Sequence, residues 1–176
     1  MNTFFTADQH YGHEAIIDYC SRPFADVQTM NETLVDNHNA VVGKKDTVYH
    51  LGDFAFRGCG RNFLKRLNGR HILILGNHDK PSQQIGMGWQ EVVQVRQIKV
   101  GGQLIWLSHY AHLVWPQSHY GTWHLFGHTH GSMAGVGRSL DVGVDGNDFT
   151  PWSFEDVKAV MEQRSVVTRS ERWMLR

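Results

Sequence analysis

Eight residues of this chain could do metal chemistry, and each follows a short apolar run: Asp8 and His10, Asp53, Asn77 and His78, His109, His128 and His130. All are oxygen or imidazole donors, with no thiolate among them. Such a set suits manganese, iron, zinc or nickel better than a soft or purely structural site. Eight donors are too many for one ion that keeps open positions. Two ions fit, and Asp53 is the carboxylate best placed to bridge them. A two-metal centre about 3.5–4 Å across is the usual apparatus for attacking phosphorus with a metal-bound hydroxide while clamping the leaving oxygen.

The elements that would position these groups are legible from pattern. Asn2 to Ala7 reads as a strand ending at Asp8-Gln9-His10. A helix from about His13 to Cys20 follows and stops at Arg22-Pro23, because proline cannot continue the ladder. Val27, Met30, Leu34, Val35 and His38 recur at helical spacing. Thr47 to Leu51 is the next strand and ends in Gly52-Asp53, and Asn62 to Leu67 reads as a short helix. Ile72 to Leu75 is a buried strand that stops at Gly76 and releases Asn77, His78 and Asp79. Three strands that deliver polar groups at one end, joined by helices, are parallel βαβ units with their site beyond the carboxyl ends.

The second half changes character. Val92 to Val100 alternates as a strand, Gly101-Gly102 makes a hairpin turn, and Gln103 to Ser108 returns to deliver His109. Thr122 to Phe126 ends in Gly127-His128-Thr129-His130, and Leu140 to Val144 is a last core strand. Ser153 with Asp156 caps a helix over Phe154 to Gln163. The tail from Ser165, with Val166, Val167, Trp173 and Leu175, either adds an edge strand or packs.

Bulk properties narrow the class. The 176 residues suffice for one domain, 1–176, with a filled core. Lys+Arg and Asp+Glu both number 17, and this zero formal charge argues against a large basic face for nucleic acid, leaving room only for a local patch. Cys20 and Cys59 match neither a metal-binding pair nor a disulfide framework. With no secretory signal over Met1 to Thr6 and no apolar run near the roughly 18 residues of a membrane span, the expected location is the cytoplasm, away from membranes. Nothing in the sequence bears on oligomeric state.

The order Asp8-x-His10, Gly52-Asp53, Gly76-Asn77-His78-Asp79, His109, Gly127-His128-x-His130 resembles that of the calcineurin-like metallophosphoesterases, with all five blocks in the family's order. The opening Thr6 to His13 and the compact length are similar to small bacterial and phage members. The resemblance implies a mixed α/β fold, a four-layer α-β-β-α sandwich of two mixed sheets flanked by helices. It implies two divalent ions, manganese first, with iron, zinc, nickel and magnesium as other fits. Asp8, His10, Asp53 and His130 would hold one ion, and Asp53, Asn77, His109 and His128 the other. His78 is left free of metal to assist the leaving group, with Asp79 as its orienting partner. The family's purple acid phosphatases carry a tyrosine where this chain has Phe56, which argues against a tyrosinate-bound ferric ion.

The implied function is hydrolysis of small phosphodiesters, with nucleotides and 2′,3′-cyclic nucleotides as leading substrates. Phosphomonoester hydrolysis and a non-catalytic scaffold on the same fold are the alternatives. Arg57 stands where the family's protein phosphatases grip phosphate, and a planar guanidinium matches phosphate oxygens, although a solvated loop arginine explains it equally well. His13 lies close enough to the first block to touch substrate. Tyr110, Trp115 and Tyr120 could stack a nucleobase or simply cover the core. His38, His50 and His71 are assigned to structure, and His124, inside a strand, to packing.

Overall fold

A computed structural model describes residues 1–167. Two mixed sheets face one another. The first holds β1 (Thr3–Thr6), β2 (Thr47–His50), β3 (Arg70–Ile74) and β4 (Glu91–Val93) in parallel, with β9 (Trp152–Ser153) antiparallel beside β1. The second holds the hairpin of β5 (Val95–Val100) and β6 (Gln103–Ser108), then β7 (Trp123–Phe126) and β8 (Ser139–Asp141) parallel to β6.

The alternation of each strand decides what lies on either side of it. Phe5, Ala7, Leu51 and Ile74 of the first sheet meet Ile98, Ile105, Leu107, Leu125 and Leu140 of the second, forming the core between the sheets. On the outer face of the first sheet, Leu73 packs against α1 (Ala15–Tyr19), α2 (Val27–Val41) and α3 (Gly60–Leu64) through Ile16, Met30, Leu34 and Leu64. Because β3 is covered on both faces it reads as an unbroken apolar run. Its last four residues are buried.

The outer side of the second sheet is covered by the segment after β6. There Trp115 is buried and its Nε1 donates to the Thr122 carbonyl at 2.8 Å. Helix α5 (Phe154–Glu162) contacts β1, β8 and β9 and adds Val157 and Met161 to the inter-sheet core. It opens on the expected capping box, with Ser153 and Asp156 bonding reciprocally. Two stretches differ from expectation: the strand expected over Leu140 to Val144 ends at Asp141, with Val144 opening a 3-10 turn, and the run from Val92 is divided between the sheets. Val92 to Val100 reads as continuous, yet at Gln94 the chain leaves β3 and crosses to β6 in the other sheet. No glycine or proline marks that crossing, so alternation alone could not reveal it. A single turn of helix, α4 (Pro81–Gln84), starts with its proline in the first turn, where no amide is missed. Residues 165–167 form no strand, and Trp173 and Leu175 lie outside the described residues.

His38, His50 and His71 are buried on the helix-facing side of the first sheet, the structural role expected for them. Gln9 Nε2 donates to His50 Nδ1 at 3.1 Å, His50 Nε2 faces His71 Nδ1 at 3.0 Å, and His71 Nε2 faces the Leu67 carbonyl at 3.3 Å. One set of tautomers satisfies the whole chain, with every ring neutral and each Nε2–H donating onward. Burial pushes His38 down from 6.5 to about 4, against a bond to the Asn68 carbonyl that favours charge. A histidine held neutral in the fold takes up its proton only on unfolding. Its stabilisation is therefore present above pH 6.5 and is lost as pH falls through 6.5 toward 4. In chelator-treated protein, the stability advantage of wild type over His38→Gln should shrink by about 2–3 kcal/mol between about pH 7 and pH 4.5. Urea unfolding of both proteins measures it, and an advantage independent of pH would contradict the assignment.

Candidate metal centre

The donors converge because the chain turns sharply after each strand. Asp8, His10, Asp53, His128 and His130 adopt positive φ of 59°, 53°, 55°, 70° and 48°. This left-handed region costs a residue with a side chain on the order of 1–3 kcal/mol, and Asp and His are among the types that tolerate it best. The turns throw successive side chains into one crevice between the sheets. Two glycines allow the strand ends to meet. A Cβ on Gly52 would stand 2.4 Å from His109 Nδ1 and 2.7 Å from the Gly76 Cα, and one on Gly76 would stand 2.2 Å from Asp53 Oδ1.

Two groups of donors result. The ligand atoms of Asp8, His10 and His130 lie within 4.8 Å of one another, as do those of Asp53, His109 and His128. Asp53 Oδ2 is 3.6 Å from both His10 Nε2 and His109 Nε2, at the seam between the groups. Asn77 joins the second group, its Oδ1 3.0 Å from His109 Nε2. His109 Nδ1 donates to the Leu51 carbonyl at 2.7 Å, which leaves the Nε2 lone pair facing Asp53. Asp8 Oδ2 accepts from the His128 amide at 2.8 Å, and Asp53 Oδ1 from the His78 amide at 2.9 Å.

A cation fits this set. Asp8 Oδ1 and His10 Nε2 are buried without a hydrogen-bond partner among the described residues, a condition proteins avoid unless something binds there. Burial, with Asp141 and Asp53 nearby, drives the Asp8 carboxyl well above its usual range. Burial first, with the Arg22 guanidinium and the other imidazoles close by, pushes His10 down to about 2. Neutral imidazoles beside crowded carboxylates are the donors that a divalent ion takes.

Other expected residues divide. His78 is exposed, with Nε2 3.9 Å from Asp53 Oδ2 and its ring edge-on to His10 and Phe56. The expectation that Asp79 orients the His78 ring is corrected. Its buried carboxylate accepts from the amides of Asp53 at 2.7 Å, Gly76 at 3.0 Å and Phe54 at 3.3 Å, so it ties the Asp53 turn to the β3 turn through main chain. Tyr110 borders the second group, its hydroxyl donating to Asn77 Oδ1 at 3.4 Å and its ring against His109 and His128. His13 faces His10 Nδ1 at 3.3 Å and stacks on Phe56 at 4.2 Å. The cavity over the donors, about 260 Å³, is walled on its apolar side by Ile16, Tyr19 and Phe56. Arg57 is exposed, its guanidinium 5.8 Å from the centre of the Phe56 ring, and does not line this cavity; neither do Tyr110, Trp115 and Tyr120.

Sequence reading missed Asp145 and Arg22. Asp145 Oδ2 accepts from His130 Nδ1 at 2.8 Å, and both Asp145 oxygens accept from Arg22. Burial alone would raise this carboxyl, but the bonds from His130 and Arg22 outweigh it and hold it below the usual range. The signal for Asp145 was there to find, since Val142-Gly143-Val144-Asp145 repeats the pattern of an apolar strand ending in glycine and carboxylate. Arg22 carried no signal beyond the proline after it. Asp141 also serves this end of the fold, accepting from the amides of Gly131 and Gly143 and from the Thr129 hydroxyl.

A two-sheet sandwich with histidines and carboxylates gathered on its strand-end turns defines the class to which the chain should be compared. It is 32% identical over 179 residues to an uncharacterized protein of Methanocaldococcus jannaschii, covering 93% of each. It is 32% identical over 182 residues to the Gene 66 protein of Mycobacterium phage L5, covering 82% of this chain and 86% of that one. The crystal structure of an Aquifex aeolicus protein of unknown function superimposes with a TM-score of 0.75 at 25% identity, over 90% of this chain and 98% of that one. No family model matches. The chain belongs to one family with the Methanocaldococcus jannaschii protein, and the five blocks by which its sequence resembles the calcineurin-like metallophosphoesterases are the ones that supply the donors gathered here. Among the described residues no helix is long and apolar enough to cross a membrane.

If Asp53 serves both groups, Asp53→Asn should weaken both ions together. Metal analysis after dialysis against a weak chelator measures this, with about 10-fold or greater weakening expected at each site. Loss of one ion with the other unchanged would contradict a shared carboxylate.

Proposed function

We propose that this chain is a two-metal phosphoesterase that hydrolyses small phosphodiesters. One observation carries the reading: Asp53 Oδ2 stands 3.6 Å from an imidazole nitrogen of each donor group, so one carboxylate joins two sets of ligands. Asp8, His10 and His130 with Asp53 would hold one ion, and Asn77, His109 and His128 with Asp53 the other. The oxygen and imidazole donors favour manganese, with iron, zinc, nickel and magnesium as alternatives. When bound, the pair supplies Lewis acidity at the phosphoryl oxygens and lowers the pKa of water.

The remaining work belongs to side chains. His78 is anchored by its own amide on Asp53 Oδ1, which keeps its ring beside the bridging carboxylate and open to solvent. From there an Nε2 proton can be given to the oxygen that leaves phosphorus, which matters most when that oxygen departs as an alkoxide. Phe56 and His13 form a stacked wall next to His78, and Tyr19 and Ile16 extend it. That wall offers room for an organic group beside the donors, and a diester brings a second such group where a monoester has only the one that leaves. This favours a diester, with nucleotides and cyclic nucleotides in range, over a monoester. His13, which lines the cavity, is the substrate contact that fits best; Tyr110 borders the donors through Asn77 from outside the cavity, and Arg57 fits only if its loop turns inward.

Manganese-loaded protein should hydrolyse bis-p-nitrophenyl phosphate. His78→Ala should lose about 10²–10⁴-fold in kcat while retaining both ions. Unchanged turnover in the variant would remove His78 from the chemistry. No turnover by wild type with manganese, nickel, cobalt, zinc or magnesium across a broad ester panel would favour a non-catalytic scaffold.

A further inference from the structure

Behind Asp8, His10 and His130 lies a buried ion pair. The Arg22 side chain is entirely excluded from solvent, and its guanidinium is bonded on every nitrogen. Nε donates to Asp145 Oδ1 at 2.7 Å, Nη2 to Asp145 Oδ2 at 2.8 Å and to the Asp8 carbonyl at 2.7 Å, and Nη1 to the Gln9 carbonyl at 3.1 Å. Asp145 Oδ2 accepts in turn from His130 Nδ1. Buried pairs of this kind often add little stability over apolar residues of the same volume, so stability is a weak reason to keep one. Their reach is a better one. The pair touches the peptide carbonyls before Gln9 and before His10, and it touches the His130 ring. Every donor of the first group is thereby adjoined, and none of the second.

We infer that Arg22 and Asp145 are positioning residues for the ion held by Asp8, His10 and His130. Asp145 accepts the Nδ1 proton of His130, which fixes the ring and leaves Nε2 as the lone pair for an ion. Arg22 fixes Asp145 with a two-pronged contact, and its remaining bonds brace the left-handed turn that carries Asp8 and His10. A carboxylate behind a ligating imidazole also raises its basicity. The second group has a weaker device, since His109 Nδ1 bonds to a neutral carbonyl. The two ions are thus held unequally. Cys20 lies near His130 and Asp145, but Asp145 already accepts from Arg22 on both oxygens and from His130 on one of them.

This inference rests on the two-ion reading, and its test is metal binding by the full chain without substrate. Manganese is titrated into wild type and Asp145→Asn, followed by calorimetry and by electron paramagnetic resonance, which separates spin-coupled pairs from single ions. In the variant one ion should weaken about 10–100-fold and the other by less than about threefold, so that at two equivalents the coupled signal gives way to a single-ion signal. Arg22→Lys keeps the charge but not the two-pronged contact, and should weaken the same ion by a smaller factor. It carries the test alone if Asp145→Asn does not fold. Urea unfolding of the chelator-treated proteins monitors the fold itself. Equal weakening of both ions, or wild-type affinity for both, overturns the positioning role while leaving the two-ion centre intact. Failure of wild type to bind a coupled pair overturns that centre and this assignment with it.

Discussion

Asp53 can occupy the middle of the site only because Gly52 and Gly76 let two strand ends approach to a distance that no side chain would permit. Its amide is tied to Asp79, one carboxylate oxygen to the His78 amide, and the other is left between His10 and His109. Each of these bonds joins β2 to the turn after β3 or to a neighbouring strand end. The first sheet's part of the centre is therefore set by carboxylate-to-amide bonds at its strand ends, and His109 and His128 are tied to it from the second sheet through the Leu51 carbonyl and the Asp8 carboxylate. A rigid sheet can hold such groups to the tolerance that two-ion chemistry needs.

The cost of this arrangement is local. Five donors sit in left-handed backbone, and Asp8 Oδ1 and His10 Nε2 are buried without a hydrogen-bond partner among the described residues. Such strain persists only where the surroundings over-determine it, and here the surroundings are an apolar core between the sheets and a network of carboxylates beneath the turns. Asp79 secures the Asp53 turn, Asp141 the turn carrying His128 and His130, and Asp145 with Arg22 the turn carrying Asp8 and His10. Cations that bind only the folded state would relieve the crowding around Asp8 and add to stability by mass action.

How much of this was legible in the sequence follows from what each signal encodes. The donors could be read because metal chemistry restricts residue type and because strands ending in glycine place them. Ile72 to Leu75 announced β3 within a residue or two for the same reason, being buried on both faces. The crossing at Gln94 could not be read, since an alternating run looks alike whether it pairs with one sheet or two. The role of Asp79 was misjudged because adjacency to His78 suggested contact, whereas neighbouring residues in a turn point apart. Trp115 was open between stacking a nucleobase and covering the core, and its burial makes it a cover. Arg22 reaches Asp145 across 123 positions, and no local pattern encodes so long a contact.

The central claim is that one carboxylate joins two ions at the seam between the donor groups. Crystals soaked in manganese and measured for anomalous scattering test it most directly. The account predicts two peaks about 3.5–4 Å apart, on either side of Asp53 Oδ2. A single peak, or a second peak away from Asp53 among Cys20, His130 and Asp145, would contradict it.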